Sequence, residues 1–162
     1  MKKFVALLLA VLMVASLCAC GQKGTGSDLQ TVTKGKLIMS TNAEFAPYEY
    51  VADDGKGFQG TGYEGIDIEI AYALAQKLGL ELVVDNMDFD AALSAVQTGK
   101  SDMVAAGVTV TPDRLNAMSF TDSYANGVQV VIVKEGSDIK SIDDLQGKKI
   151  GTQRGTTGYI YC

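Results

Sequence analysis

Histidine and tryptophan are absent from the 162 residues, proline occurs twice and cysteine three times. Without an imidazole the chain has no His-ligated zinc, no Ser-His-Asp triad and no His general base, and no other side chain titrates near neutrality unaided. So few cysteines exclude a disulfide framework. Excess positive charge is missing too: 14 Lys plus Arg stand against 19 Asp plus Glu, a formal net charge of −5. That balance repels phosphate backbones, so no nucleic-acid partner is expected. What is present is ordinary for one domain, 47% apolar and 20% charged residues, which excludes a collagenous chain or a disordered acidic tail.

Lys2 and Lys3 precede an uncharged apolar run at 4–17 (FVALLLAVLMVASL) and then Cys18-Ala19-Cys20-Gly21. A bilayer-spanning helix needs about 20 apolar residues, so this run is read as an export signal rather than a permanent span. Leu17-Cys18-Ala19-Cys20 resembles the lipobox of bacterial lipoproteins, which makes residues 1–20 a lipoprotein signal peptide and Cys20 the lipidated N-terminus. Cys18 fits less well, because the bulky Leu17 precedes it. Acyl chains such as palmitate add about 0.8 kcal/mol per buried methylene, enough in combination to hold the protein on a membrane while its body stays in water. Residues 21–35 are rich in Gly, Ser and Thr and read as a flexible tether.

The body has a βαβαβ rhythm, which implies a parallel sheet covered by helices. Its expected elements are a buried strand at 36–41, a small hairpin over 49–58, a helix from Gly65 stopped by Gly79, a strand at 80–84, a helix over 89–97 ended by Gly99, and a strand at 102–110. Thr111-Pro112-Asp113-Arg114 reads as a helix start, with Thr as cap, Pro in the first turn and Asp complementing the dipole. The β-branched run VQVVIV at 128–133 is expected to be a long strand, 142–145 a short helix and 149–151 a further strand.

Gly55-Lys56-Gly57-Phe58-Gln59-Gly60 and Gly60-Thr61-Gly62-Tyr63-Glu64-Gly65 both spell the dinucleotide fingerprint, and Asp85 follows where a ribose-binding acid belongs. The context fails. Polar turn residues, rather than a buried strand, precede these glycines, and Asp67 and Glu69 would repel a pyrophosphate at the next helix start.

The segment Gly65-Ile66-Asp67-Ile68-Glu69-Ile70, followed by Leu74, Ala75 and Leu78, resembles the solute-binding proteins of amino-acid ABC uptake systems. Three further segments agree in order and spacing: residues 41–49 (TNAEFAPYE), 109–114 (TVTPDR), and Gly147-Lys148-Lys149-Ile150-Gly151 with Gly155-Thr156-Thr157-Gly158. The resemblance covers 36–161. It implies an α/β, type II periplasmic-binding-protein-like fold: lobe one nearly complete at 36–125, an interlobe crossing strand at 126–134 and an incomplete lobe two at 135–162. The function implied is extracytoplasmic capture of a polar amino acid and its delivery to the membrane subunits of an ABC permease, from a lipid anchor on the outer face of the cell membrane. No enzyme activity, cofactor or metal is implied.

A free amino acid presents a carboxylate, an ammonium and a variable side chain. Arg114 is the candidate for the carboxylate, since a guanidinium holds two oxygens in a fixed fork; read without the family, it is equally a surface arginine. Carried over from the resemblance, the Gly107 amide and the Thr109 hydroxyl and amide contact the carboxylate or ammonium, and the Ala106 carbonyl the ammonium. Thr157 matches the second lobe's carboxylate donor, with a helix start adding positive charge. Phe45, Tyr48 and Phe89 match residues that wall the ligand, although each could serve the core instead. Asn42 stands where binders of basic amino acids often carry Asp; its neutral amide favours a polar uncharged side chain, with Glu44 still able to serve a cation.

The lobe-two acid that fixes the ammonium, the second crossing and the last lobe-one elements of the family are missing. The chain is therefore expected to be a truncated or frameshifted copy, or part of a gene, with impaired binding. Two other functions remain open. The same fold serves exported dehydratases, for which Glu44 would be the nominated acid, and lipid-anchored ligand sensors.

Overall fold

The computed structural model describes residues 29–162. The signal peptide, the proposed lipidation site at Cys20 and most of the tether lie outside the described residues. No helix among those described is long and apolar enough to cross a membrane.

The first strand, β1 (Lys36–Thr41), is buried along nearly its whole length, as its Leu37-Ile38-Met39 run demands. Its chain neighbours β2 (Glu44–Phe45), β3 (Glu49–Val51) and β4 (Tyr63–Glu64) form a separate antiparallel sheet in the order β2-β3-β4. The hairpin is thus wider than the sequence suggests. Its arm after β3 is β4, Tyr50 pairing with Glu64, and 49–58 is not closed on itself.

Helix α1 (Ile66–Leu78) buries Ile68, Ala71 and Ala75 and ends at Gly79, whose amide returns to the carbonyls of Ala75 and Gln76. At its start, Gly65 has φ 121°, and a side chain there would fall on the Tyr48 carbonyl, so the close passage of α1 over β3 admits only glycine. Strand β5 (Glu81–Asn86) runs parallel to β1 with Lys36 opposite Glu81 and Thr41 opposite Asn86. Helix α2 (Phe89–Gln97) buries Phe89, Ala92 and Ala95.

Strand β6 (Met103–Val104) completes a parallel sheet in the order β5-β1-β6. Asp102 ties it to β1, accepting from the Ile38 amide at 2.7 Å. Met39, Ile68, Ala71 and Ala105 form the core between sheet and α1, flanked by Phe58, Tyr63, Leu82 and Val84.

The strand expected over 102–110 is therefore much shorter. After the Ala105 amide bonds to Ser40, the chain turns at Gly107 (φ 53°) and leaves the sheet, which exposes the backbone of 107–110 beyond the strand end. Helix α3 (Pro112–Leu115) starts as expected, Thr111 accepting from the Arg114 amide. The strand expected at 128–133 is absent: Val128, Val130 and Ile132 are exposed, and no ladder partner lies beside them among the described residues. Residues 149–151 are likewise not a strand. A 3-10 turn (Ile142–Leu145) and α4 (Thr157–Ile160) end the fold.

Candidate functional site

A cleft of about 220 Å³ lies past the C-terminal ends of β1 and β6, the position where open parallel sheets bind ligands. Asn42, Phe45, Phe89, Ala106, Gly107, Thr109, Arg114 and Thr157, all singled out from the sequence, line it together. Tyr48 does not. Its ring stacks on Phe45 with centroids 5.4 Å apart and 15° between planes, so it backs the wall instead of forming it.

Arg114 reaches the cleft because the Thr111 cap fixes the start of α3 and turns the following side chain inward. Its Nη1 donates to the Thr109 carbonyl at 2.8 Å and its Nη2 to the Gly155 carbonyl at 2.9 Å. The guanidinium carbon sits 5.5 Å from the Phe89 ring centroid, a cation–π distance. Burial lowers the guanidinium below its ordinary pKa, opposed by the Asp90 carboxylate; it stays charged at any physiological pH.

The floor differs from expectation at one atom. The Gly107 amide donates to Asp67 Oδ2 at 3.0 Å, so it is committed to the protein and is not free for a ligand. The sequence suggested a free donor because nothing local shows that Asp67, forty residues away, closes onto it. Gly107 also stands where a Cβ would lie 2.8 Å from the Phe45 ring, so glycine is needed for that approach as well as for its φ.

Asn42 spends both ends of its amide on the protein: Nδ2 donates to the Met87 carbonyl at 3.0 Å and Oδ1 accepts from Gln153 at 2.8 Å. Thr157 Oγ1 accepts from Gln129 at 3.0 Å. Residues 152–158 thus stand as a strap against the cleft, joined to it through Gln153, Gly155 and Thr157, while Arg154 pairs with Asp90 on the outside at 3.1 Å.

The sequence reading missed several lining residues, Glu49, Gln129 and Gln153 among them. Gln129 carried a signal, being a polar residue inside a β-branched run. Glu49 carried none: it is 1% exposed, and burial, then the charge of Asp67, push its carboxyl up to about 9. Glu44 does not line the cleft; it is exposed on β2. Among the described residues no group of three acids or cysteines is placed to hold a metal.

Residues 37–157 match the family model for bacterial extracellular solute-binding proteins, family 3. The arginine-binding extracellular protein ArtP of Bacillus subtilis (strain 168) is 38% identical over 156 residues, covering 96% of this chain and 57% of that protein. An ancestral arginine-binding protein solved with arginine superposes with a TM-score of 0.71 at 40% identity, over 79% of this chain and 54% of the other. An ancestral amino acid-binding protein described as a precursor of cyclohexadienyl dehydratase gives 0.50 at 35% identity over 56% of this chain and 38% of its own. The chain spans little more than half the length of the two arginine-binding relatives. The better-covered relatives are binding proteins, and the fold they share is the type II periplasmic-binding-protein fold. With its βαβαβ sheet, its cleft past the strand ends and that match across most of its length, the chain belongs to the bacterial extracellular solute-binding proteins of family 3.

Proposed function

We propose that this chain takes part in extracytoplasmic capture of a polar amino acid for an ABC permease, with Arg114 holding the ligand carboxylate. The observation that carries the reading is the Arg114 fork inside the cleft, beside Thr109 and over Phe89. Thr109 and Thr157 offer hydroxyls to the same ligand, and Phe45 and Phe89 offer apolar faces for its stem. The relatives are longer than this chain, and a charged hydrogen bond from any further segment would contribute roughly 1.5 to 3 kcal/mol, so residues 29–162 by themselves are expected to bind weakly.

Addition of L-arginine, L-histidine or L-glutamine to the labelled protein should shift the backbone amides of Thr109 and Thr157, saturably and weaker than micromolar. Arg114→Ala should abolish the shifts; shifts that persist undiminished would remove Arg114 from the site. The dehydratase reading loses its nominated acid, since Glu44 lies outside the cleft.

For location, the lipobox at 17–20 supports anchoring through Cys20 on the outer face of the membrane. Labelled palmitate should enter the protein in growing cells, and Cys20→Ala should block that labelling and leave the protein unanchored.

A further inference from the structure

At the floor of the cleft lie two carboxyl groups, Glu49 on its lining and Asp67 behind it, that the proposed capture of an amino acid leaves without a role. Asp67, at the start of α1, has no exposed surface and accepts two hydrogen bonds, from the Tyr124 hydroxyl at 2.7 Å on Oδ1 and from the Gly107 amide at 3.0 Å on Oδ2. Both of its oxygens are thereby occupied. Glu49, beside it on β3, is 1% exposed, and its Oε2 has no donor to accept from. An ionised Glu49 there would face a carboxylate with neither hydrogen bond nor cation, the costliest state a buried acid can take.

The surroundings supply no relief. On β2 the residue opposite Glu49 is the uncharged Phe45, and on β4 Glu64 is engaged with the Tyr50 hydroxyl. From α1 comes Asp67, and from the chain after α3 comes Tyr124, whose hydroxyl already serves Asp67. Tyr48, adjacent in sequence, offers no positive charge; its ring stacks on Phe45. Arg114 borders the same cleft, but both of its terminal nitrogens are turned to the carbonyls of Thr109 and Gly155.

We propose that Glu49 is a positioning residue: buried beside Asp67 with an unpaired oxygen, it hydrogen-bonds that carboxyl, and this pair holds the Ala106–Gly107 turn and the Phe45 wall in the shape that receives the ligand. The chain of contacts is continuous. Glu49 lies opposite Phe45, Asp67 bonds the Gly107 amide, and Gly107 packs under the Phe45 ring. The proposal rests on the reading of this cleft as an amino-acid site; the pair itself is tested without any ligand.

The sign of the pH effect follows from linkage. Glu49 titrates near its ordinary 4.5 when unfolded and near 9 when folded, so the native state holds the extra proton between those values and stability falls as pH rises through that window. Glu49→Gln keeps a donor toward Asp67 and does not titrate. The melting temperature of Glu49→Gln relative to the parent chain should therefore rise steadily from pH 5 to pH 9. A difference that stays flat overturns the proposal.

Amide exchange at Gly107 should keep its protection in Glu49→Gln and lose about tenfold or more in Glu49→Ala; equal protection in both overturns the positioning role. Should either variant fail to fold, the carboxyl carbon shift of Glu49 in the unaltered protein decides: a midpoint near 9 is expected, and one in the ordinary carboxylate range refutes the pair. An unaltered protein that binds no amino acid would sink the functional reading and leave these three readouts standing.

Discussion

Asp67 has both of its carboxylate oxygens occupied and no surface in contact with water. Asp67→Ala would leave the Gly107 amide and the Tyr124 hydroxyl without an acceptor, and stranding buried donors costs about 1 to 3 kcal/mol for each. Urea denaturation should therefore show a loss of about 2 to 6 kcal/mol. Tyr124→Phe removes one partner and should cost about 1 kcal/mol. Desolvation raises the Tyr124 hydroxyl far above its ordinary pKa, so it keeps its proton and donates throughout the range in which the protein is folded. Residues of this sort are hard to find in a sequence. Arg114 was legible as a candidate because the segment 109–114 resembles the family's at that place; the local cap, ring and acid predict only the helix start that is seen, and taken alone would fit a surface arginine equally. Asp67 was legible only as a helix-start acid, and Glu49 not at all, since what makes each unusual arrives from across the fold.

Among the elements, α1, β5 and α2 lie within about two residues of where periodicity puts them, since the two helices bury apolar faces and β5 pairs along the whole length of β1. The failures share a cause. A strand requires a partner, and sequence reports only the willingness of one side. Residues 128–133 have every β-branched qualification, yet nothing among the described residues pairs with them; β6 stops early because Gly107 turns the chain out of the sheet. That early stop forms the cleft, so the shortest strand of the sheet positions the most chemistry. At the junction of sheet and helix, Gly65→Ala should destabilise by more than about 2 kcal/mol, because both its φ and the Tyr48 carbonyl oppose a side chain. Thermal denaturation checks this, and Gly35→Ala, with open space around it, serves as the comparison for a positive φ without a clash.

Across the whole molecule, polar coverage is uneven. The parallel sheet is packed against α1 and α2, whereas Val128, Val130 and Ile132 are 84%, 75% and 93% exposed, and the latter two border an open space of about 1350 Å³ together with Ile142 and Ile150. These side chains add little to the stability of the described fold. Ile132→Lys should shift the unfolding free energy by no more than about 0.5 kcal/mol. It should also reduce binding of a hydrophobic dye and slow aggregation at high concentration, since it interrupts an exposed β-branched run. A large loss of stability would show that this run is packed in solution.

The strap at 152–158 alters what ligand entry means. Gly155 already presents an oxygen to Arg114, and Gln153 already satisfies Asn42. On the proposed reading, that peptide oxygen occupies the place a ligand carboxylate would take, so an amino acid would have to displace it. Its net gain would be the margin between a charged oxygen and a neutral one, and occupancy would then discriminate by formal charge before shape.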